Sequence, residues 1–234
     1  MGYILHKSNE RGLTKFKWLE SFHSFSFGRY INPKRTSCGK LVVFNDDTIA
    51  PGKGFSTHPH DNMEIITIVT NGTLEHRDSM GSSSMITTGE IQVMTAGTGI
   101  THSETNPSTT EAVHLFQIWI EPRHYGLTPS YKQKKFNSEL WKNRLALLVS
   151  GERNEEALTI NQDAELYPAD LEKGTTIKYE LKKRRGVFLF CIEGQLQLDE
   201  QILNPQDSIE VIGSQKIKIN ALTDAKLILI DIPV

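Results

Sequence analysis

The chain has 234 residues, of which 38% are hydrophobic and 23% are charged, and its formal net charge is −2. This length suffices for one large core or for two cores of about 100 residues each. The balanced charge gives no reason to expect nucleic acid, a membrane or an acidic polymer as a direct partner. We find no secretory apolar region and no apolar stretch near the ~18 residues of a membrane span. Cys38 and Cys191 are isolated in the sequence, so we expect two reduced thiols in a cytoplasmic protein. The sequence has no clear signal of oligomeric state, and a monomer is the default expectation.

The predicted elements are short strands separated by turns. In chain order, strands are predicted over residues 42–44, 64–70, 73–77, 89–94 and 114–120. The first of them leads into a predicted turn at 45–47, and Asn71-Gly72 is predicted to be a hairpin turn. A helical apolar period occurs only over short segments near 137–141 and 164–172. This pattern is typical of an all-β sandwich or barrel.

A faint internal repeat relates the two halves of the chain. The repeated segments are 68–75 and 89–94 in the first half and 190–197 and 207–212 in the second half. Each pair consists of a strand and turn followed by a gap and an alternating strand. We therefore predict two similar β domains, residues 1–135 and 136–234, which are joined by a polar segment near 130–145.

Two triplets in the first half carry metal-ligand side chains. They are His58-Pro59-His60 and His102-Ser103-Glu104. On a strand, residues i and i+2 lie on the same face. Three imidazoles and a carboxylate suit Fe, Mn, Co, Ni, Cu or Zn, and four protein ligands on a six-coordinate metal leave two open positions. Neither cysteine belongs to the cluster, which favours an open, reactive centre over a closed structural zinc site.

The second half cannot repeat a histidine site, because all eight histidines lie at or before His124. Overlaying Gly194 on Gly72 and Ile212 on Met94 aligns the two halves. This overlay places Glu180 and Lys182 at the positions of His58 and His60, and Asn220 and Leu222 at those of His102 and Glu104. We expect the C-terminal domain to be structural, shielding or protein-binding.

The remaining histidines are predicted to lie outside the ligand set. His114 would share a strand face with Phe116, which predicts a hydrogen-bonded core histidine. His23 lies in an aromatic segment that packs together or forms a wall of the site. His76 is predicted at the surface of a hairpin.

The basic run over 182–185 adjoins a strand and is predicted to be a solvated edge.

Longer motifs around the candidate ligands resemble a known family. The residues from Gly52 to Gly72 resemble the first cupin motif, and those from Gly89 to Asn106 resemble the second. More narrowly, the segments 18–27, 45–47, 54–64 and 95–104 resemble the pirin family. They are similar to the bacterial pirin-like proteins described as quercetin 2,3-dioxygenases. The resemblance is strong from residue 3 to a position near the domain border predicted above.

The resemblance implies a fold, a cofactor and a ligand set. The implied fold is all-β: a bicupin, with two jelly-roll β-barrels packed together, few short helices and metal in the N-terminal barrel only. The cofactor is one divalent transition metal, with Fe(II) first and Ni, Co, Mn, Cu or Zn as alternatives. The implied ligands are His58, His60, His102 and Glu104. The carboxylate ligand is Glu104 rather than Glu64, which leaves Glu64 as an outer carboxylate.

The implied activity is cleavage of a flavonol with O2 and release of carbon monoxide. The 3-hydroxyl and 4-carbonyl of a flavonol form a chelate that suits two open metal positions. The catalytic candidates are Glu104 and Glu64, either of which would take the hydroxyl proton. The apolar residues within 22–27, with Phe55 and Met63, are expected to receive the flat rings.

Two other functions stay open at this point. One is a regulatory protein that binds a protein partner through a surface controlled by the redox state of the metal. The other is a different small-molecule cupin activity, such as an isomerase, because one fold serves many chemistries. Cavity size discriminates between the classes: an open pocket of at least ~300 Å³ over the metal favours an enzyme, and a sealed site favours the regulatory protein.

Overall fold

The fold is built almost entirely from β-strands. A computed structural model describes residues 2–152, 154–213 and 215–234. The helical segments of these residues are two short 3₁₀ turns, Ser8–Glu10 and Ser138–Trp141. The predicted all-β class with few short helices is confirmed. No helix among the described residues is long and apolar enough to cross a membrane.

The strands are numbered in chain order. The first half contains β1 (Gly2–His6), β2 (Gly12–Lys15), β3 (Leu19–His23), β4 (Leu41–Ile49), β5 (Gly54–His60), β6 (Glu64–Asn71), β7 (Thr73–Asp78), β8 (Ser83–Thr87), β9 (Glu90–Thr95), β10 (Ile100–Thr105) and β11 (Val113–Ile120). The second half contains β12 (Ser130–Lys135), β13 (Val149–Ser150), β14 (Leu158–Thr159), β15 (Glu165–Leu171), β16 (Thr176–Leu181), β17 (Arg185–Glu193), β18 (Leu196–Leu198), β19 (Gln201–Leu203), β20 (Ser208–Ile212), β21 (Gln215–Ala221) and β22 (Ala225–Pro233).

Each half consists of one large and one small sheet with the same strand order. The N-terminal sheets run β12-β9-β6-β11-β4-β3-β2 and β5-β10-β7-β8. The C-terminal sheets run β1-β20-β17-β22-β15-β13-β14 and β16-β21-β18-β19. Strand pairing is antiparallel except between β13 and β14. The matching orders confirm the predicted repeat and, with it, the bicupin fold of two similar barrels.

The main core lies between the two seven-stranded sheets. Phe44 of β4 packs against Phe188 and Phe190 of β17, with ring centroids 5.0 and 4.9 Å apart. The alternate side chains of β17, Val187 and Leu189, face the interior of the C-terminal barrel. Both faces of β17 are therefore buried, which explains its continuous apolar run.

The two halves exchange their first strands. β1 forms an edge of the C-terminal sheet, where Tyr3 lies opposite Val211 on β20. β12 occupies the equivalent edge of the N-terminal sheet, where Tyr131 lies opposite Met94 on β9. This reciprocal exchange links the barrels through main-chain hydrogen bonds in addition to side-chain packing. The domain border at residue 135 stays a prediction.

Three local predictions were wrong. The turn expected at 45–47 lies inside β4, because Asp46 and Asp47 are buried with polar partners, Arg11 and Ser21 respectively. Asn71-Gly72 is not a hairpin turn, since β6 and β7 belong to different sheets. The segment 164–172 forms strand β15, which pairs with β22 on one side and β13 on the other. Tertiary pairing overrides its weak helical period.

Gly72 is the corner at which the chain crosses from one sheet to the other. Its φ is +80°, a conformation that glycine adopts without steric cost. A Cβ atom at this position would also lie 2.9 Å from the carbonyl oxygen of Ala112. Gly194 has the same role in the second half, with φ +75° and an added Cβ 2.0 Å from the Asp224 carbonyl oxygen.

The small sheets of the two halves can be aligned residue by residue, by counting from Gly72 and Gly194 and following the strand pairing. Ile217 and Ile219 occupy the positions of His102 and Glu104, and Tyr179 and Leu181 occupy those of His58 and His60. Leu181, Ile217 and Ile219 are buried in the barrel core. The sequence overlay was therefore wrong, since it had placed Glu180, Lys182, Asn220 and Leu222 at these positions. A slip of a single residue is enough to exchange the two faces of a strand.

Candidate metal centre

Three imidazoles converge at the open end of the N-terminal barrel. His58 and His60 lie on one face of β5, and His102 lies opposite His58 on the neighbouring strand β10. The ring centroids are 4.5 to 4.9 Å apart. The ligand nitrogens of the three rings all lie within 4.8 Å of one another. The i, i+2 spacing and the strand pairing thus produce a compact donor group.

Hydrogen bonding and protonation state decide whether these imidazoles are available to a metal ion. The Nδ1–H group of His58 donates to the Ser56 carbonyl oxygen at 2.8 Å, which leaves Nε2 as the free donor atom. Burial and the neighbouring imidazoles lower the pKa of His60 to about 4 and that of His102 to about 3. Both rings are therefore neutral near pH 7.

His102 carries an unsatisfied atom that fits a metal ion. Its Nε2 is buried and accepts no hydrogen bond from any described residue. Such an orphaned polar atom costs free energy unless a ligand or ion satisfies it. Neutral imidazole nitrogens are ligands that divalent transition metals prefer. The donor set therefore fits a metal of this class.

Glu104 lies behind the imidazoles in a cradle of side chains. It accepts hydrogen bonds from the Gln117 amide at 2.8 Å and the Gln92 amide at 3.3 Å, and the Thr67 hydroxyl oxygen lies 3.4 Å away. Complete burial raises its pKa. Its carboxylate lies within 4.8 Å of ligand nitrogens of His102 and His76. Glu104 thus adjoins the three-imidazole group through His102, and its role as the fourth ligand stays a prediction.

Glu64 lies in a different environment from Glu104. Its carboxylate accepts hydrogen bonds from the Thr95 hydroxyl at 2.9 Å and from the backbone and side-chain N–H groups of Asn161 at 3.1 and 3.3 Å. Asn161 belongs to the second half of the chain, so these bonds connect the two halves. Glu64 is absent from the described residues that line the cavity over the imidazoles. The catalytic role predicted for it stays a prediction.

A cavity of about 480 Å³ lies over the imidazoles. Its volume exceeds the ~300 Å³ that a small-molecule site needs. The aromatic part of its wall consists of Phe16, Trp18, Phe27, Phe55 and Trp119, and the polar part includes Thr14, Ser21, His23, Asn45 and Asp47. Phe16 is 51% exposed, so the cavity reaches the protein surface. The site is open rather than sealed.

The prediction for the aromatic wall was right for some residues and wrong for others. Phe27, Phe55 and His23 line the cavity. Phe25 instead packs against Phe188 in the core between the barrels, and Phe22 stacks beneath the guanidinium group of Arg11. Alternation along β3 explains the position of Phe22, because Ser21 and His23 on either side of it point into the cavity. Met63 also lies outside the lining and packs on a small cluster around Ile65.

Comparison with known proteins identifies the family. Residues 6–120 match the family described as Pirin, and residues 147–232 match the one described as quercetinase C-terminal cupin domain. The chain belongs to the pirin family. A protein of Escherichia coli strain K12 named quercetin 2,3-dioxygenase is 41% identical over 229 residues, which cover 98% of both chains. A pirin-like protein of Caulobacter vibrioides is 41% identical over 217 residues, which cover 92% of both.

The fold of this pirin-family chain matches that of a solved relative. The crystal structure of bacterial pirin YhhW from Escherichia coli in complex with nickel(II) has a TM-score of 0.94 to this chain. The two proteins are 40% identical, and the match covers 99% of each chain. The predicted membership of the pirin family is confirmed.

His76 is the residue of the site that sequence reasoning misplaced. It was predicted at the surface but is completely buried. Tyr131, from the exchanged strand β12, stacks on its ring at 4.6 Å, and the sequence of β7 alone gives no sign of that cover. Gln92 and Gln117 were also missed as partners of Glu104. The sequence does mark both residues, because each is a lone amide in the middle of an apolar strand. An amide at such a position needs a buried polar partner.

Three further predictions have clear outcomes. His114 is half-buried on the inner strand β11, and its Nε2 is 2.7 Å from Asp46 Oδ1, so it is hydrogen-bonded but not deep in the core. Residues 182–184 of the basic run are exposed as predicted, whereas Arg185 is buried and pairs with Asp231 at 2.6 Å. Cys38 and Cys191 are both buried free thiols.

Proposed function

We propose that this protein is a metal-dependent dioxygenase that cleaves flavonols such as quercetin with O2 and releases carbon monoxide. The observation that carries the proposal is the three-imidazole group at the wall of an open 480 Å³ cavity. Such a site suits a small, partly apolar chelating molecule. A relative that matches almost the whole chain is named quercetin 2,3-dioxygenase, which supports this substrate class.

We assign the metal to His58, His60, His102 and Glu104. Fe(II) is the first candidate, with Ni, Co, Mn, Cu or Zn as alternatives, and the nickel complex of bacterial pirin YhhW supports a divalent ion. When bound, the ion supplies a Lewis-acid centre for the vicinal hydroxyl and carbonyl oxygens of a flavonol and for O2.

Two aromatic pairs are placed to receive flat rings. Trp18 and Phe55 meet edge to face at 5.3 Å beside His58, and Phe27 and Trp119 meet edge to face at 5.4 Å. The Trp119 ring also lies 4.8 Å from that of His60. Aromatic walls bury ring surface and exclude water. Ser21, His23, Asn45 and Asp47 supply the hydrogen-bonding groups for ring hydroxyls.

Glu104 is the proposed base for the substrate hydroxyl. Burial raises the pKa of its carboxyl in the metal-free protein, and a carboxylate within hydrogen-bond reach of a substrate hydroxyl can accept its proton. The amide groups of Gln92 and Gln117 hold it in one orientation. Both Glu104 and His102 line the cavity, so a ligand beside the imidazoles is also near this carboxylate. We favour Glu104 over Glu64 because Glu104 lines the cavity, whereas Glu64 is absent from the described residues that line it.

The test is a turnover measurement on protein loaded anaerobically with Fe(II). We expect the wild type to consume O2 and quercetin in equal amounts and to release one equivalent of carbon monoxide. His60→Ala removes one proposed ligand and should abolish turnover. His124→Ala is the matched control, because His124 is exposed and lies outside the cavity lining, and this variant should behave as the wild type.

The decisive negative result is a wild-type protein that contains bound metal by elemental analysis and does not consume quercetin. That outcome would overturn the dioxygenase proposal. It would favour a metal-dependent regulatory protein, whose binding to its partner should be lost when a chelator removes the ion. The open cavity argues for the enzyme over this alternative.

A further inference from the structure

We propose that Asp78 and His76 form a relay that fixes the tautomer of His102 and thereby directs its Nε2 to the metal. His76 is in this view a positioning residue rather than a ligand. The inference rests on the proposed metal site. It concerns how one ligand is oriented, and it does not depend on which reaction the bound metal supports.

The relay is a chain of three buried side chains. His76 Nε2 lies 3.1 Å from Asp78 Oδ2, and His76 Nδ1 lies 3.4 Å from His102 Nδ1. The side chains of His76 and Asp78 are completely shielded from solvent, and His102 is 2% exposed. Water therefore does not compete for these atoms. The two nitrogens of His76 and Nδ1 of His102 are therefore restricted to the partners that the relay supplies.

Asp78 sets the direction of the relay. Its Oδ1 accepts hydrogen bonds from the backbone N–H groups of Met80 at 2.9 Å and Ser82 at 3.0 Å. These bonds fix the carboxylate in one orientation, with Oδ2 facing His76. An ionised carboxylate is an acceptor only. The bond to His76 Nε2 therefore requires that nitrogen to carry the proton.

The tautomers of both rings follow from that requirement. A neutral imidazole with a proton on Nε2 is an acceptor at Nδ1. His76 Nδ1 can then only accept, so the facing Nδ1 of His102 must donate. Its proton on Nδ1 leaves a lone pair on His102 Nε2, which is the buried atom without a hydrogen-bond partner among the described residues. The opposite arrangement would put a proton on this Nε2 and prevent it from binding a metal.

Tyr131 holds the middle of the relay in place. Its ring stacks on that of His76 at 4.6 Å with an interplanar angle of 25°. Tyr131 lies on β12, the strand that the second half contributes to the N-terminal sheet. His76 also lies near Glu104, but its two nitrogens already face Asp78 and His102. It therefore has no nitrogen left for an ion.

Asp78→Asn is the sharpest test, because it keeps the shape of the side chain. If the amide N–H group faces His76, the proton order reverses and His102 Nε2 becomes protonated. If the amide oxygen faces His76, the amide N–H group meets the N–H groups of Met80 and Ser82. The second orientation brings N–H groups together with no acceptor between them, so we expect the first orientation, which opposes metal binding. Loss of an outer partner of a ligand histidine weakens metal affinity about 10–100-fold, and we expect a loss of this size for Ni²⁺ and Zn²⁺ in a chelator competition.

Glu75→Gln is the matched control. It makes the same carboxylate-to-amide change on the same strand β7, where Glu75 pairs with Arg77 at the surface. We expect its metal affinity to equal that of the wild type. A folded Asp78→Asn protein with wild-type affinity for both ions would overturn the relay.

A second measurement requires no variant. In ¹⁵N-labelled wild-type protein loaded with Zn²⁺, long-range ¹H–¹⁵N correlation spectra distinguish the two tautomers of each histidine. We expect a proton on Nδ1 of His102 and on Nε2 of His76. A proton on Nδ1 of His76 would refute the relay. The expected tautomers would support it even if quercetin is not consumed, so its failure and that of the proposed dioxygenase are distinguishable.

Discussion

The side-chain amide of Gln117 donates a hydrogen bond of 2.8 Å to the carboxylate of Glu104 inside the N-terminal barrel. Gln117 also accepts a hydrogen bond from Thr67 at 3.0 Å, so its amide cannot rotate without losing a partner. A hydrogen bond to a charged group contributes about 1.5–3 kcal/mol. Burial favours the neutral form of the Glu104 carboxyl group. The Gln117 amide opposes this effect and favours the ionised form, which is the form that can bind a metal.

Gln117→Leu should weaken metal binding. The substitution removes the shortest hydrogen bond to Glu104 and leaves its charge less well solvated. Removing a residue that hydrogen-bonds to a metal ligand commonly weakens metal binding, and we expect a loss of affinity of about 10-fold or more. Chelator competition with Ni²⁺ measures it. Gln197→Leu removes an amide from the C-terminal barrel and should leave the affinity unchanged; equal affinities in the two variants would show that the Gln117 amide does not support the site.

The sequence was sufficient to predict the imidazole group and the fold class. His58 and His60 lie two residues apart on one strand, and that spacing alone places them on one face. The motif around His102 brings it to the neighbouring strand. Only the first of these relationships is local, because His102 and His58 lie on strands that are distant in sequence. The resemblance to the pirin family then supplied the bicupin arrangement, which the repeat of strand order supports.

The rest of the site depends on contacts between distant segments. His76 is buried because Tyr131, 55 positions later, lies on a strand of the other sheet of the barrel and stacks on its ring. Asp47 lies in a strand rather than a turn because Ser21 and a buried cavity wall receive its carboxylate. The overlay of the two halves slipped at Glu180 because register within a sheet is set by pairing partners, which a single sequence does not display.

The metal-free protein should lose stability as the pH falls below about 6.5. Burial and His58 lower the pKa of His60 to about 4 in the folded state, so the unfolded chain binds a proton that the folded chain rejects between these pH values. This contribution to the free energy of unfolding is fully present above the pKa that His60 has in the unfolded chain. It is lost as the pH falls toward the pKa that His60 has in the folded protein. The slope for one such group is about 1.4 kcal/mol per pH unit.

Urea unfolding of metal-free protein at a series of pH values measures this slope. His60→Gln should bind about one proton fewer on unfolding in this window, and its stability curve should be flatter than that of the wild type. His124→Gln changes an exposed histidine and should retain the wild-type slope. A slope that is the same in all three proteins would contradict a lowered His60 pKa.

Phe44→Ala should destabilise both barrels together. Phe44 is completely buried between the sheets and packs against Phe188, Phe190 and Phe116. Removal of a buried phenyl ring costs about 3–5 kcal/mol. Urea unfolding should show the loss, while Phe16→Ala, at a half-exposed position, should cost much less. A loss confined to the N-terminal barrel, seen as two separate transitions, would show that the interface does not couple the halves.

The neighbouring residues Asp46 and Asp47 should respond to the same substitution in opposite ways. Burial raises the pKa of Asp47 to about 7, above the value of 3.8 in the unfolded chain. The contribution of Asp47 to the free energy of unfolding is therefore lost as the pH rises from 3.8 through 7. Asp47→Asn removes that cost and should raise the melting temperature at pH 8 more than at pH 5. Asp46, in contrast, has a lowered pKa because His114 and Arg11 offset its burial.

Asp46→Asn therefore breaks a buried ion pair. Its removal leaves the Arg11 guanidinium, whose side chain is 1% exposed, without its carboxylate partner. The expected cost is about 3–5 kcal/mol, with a lower melting temperature at pH 8, where Asp47→Asn is expected to raise it. Thermal unfolding of both variants at pH 5 and pH 8 gives the comparison. A destabilised Asp47→Asn protein at pH 8 would mean that its carboxylate is solvated or paired through the cavity, and would argue for a direct role of Asp47 in ligand binding.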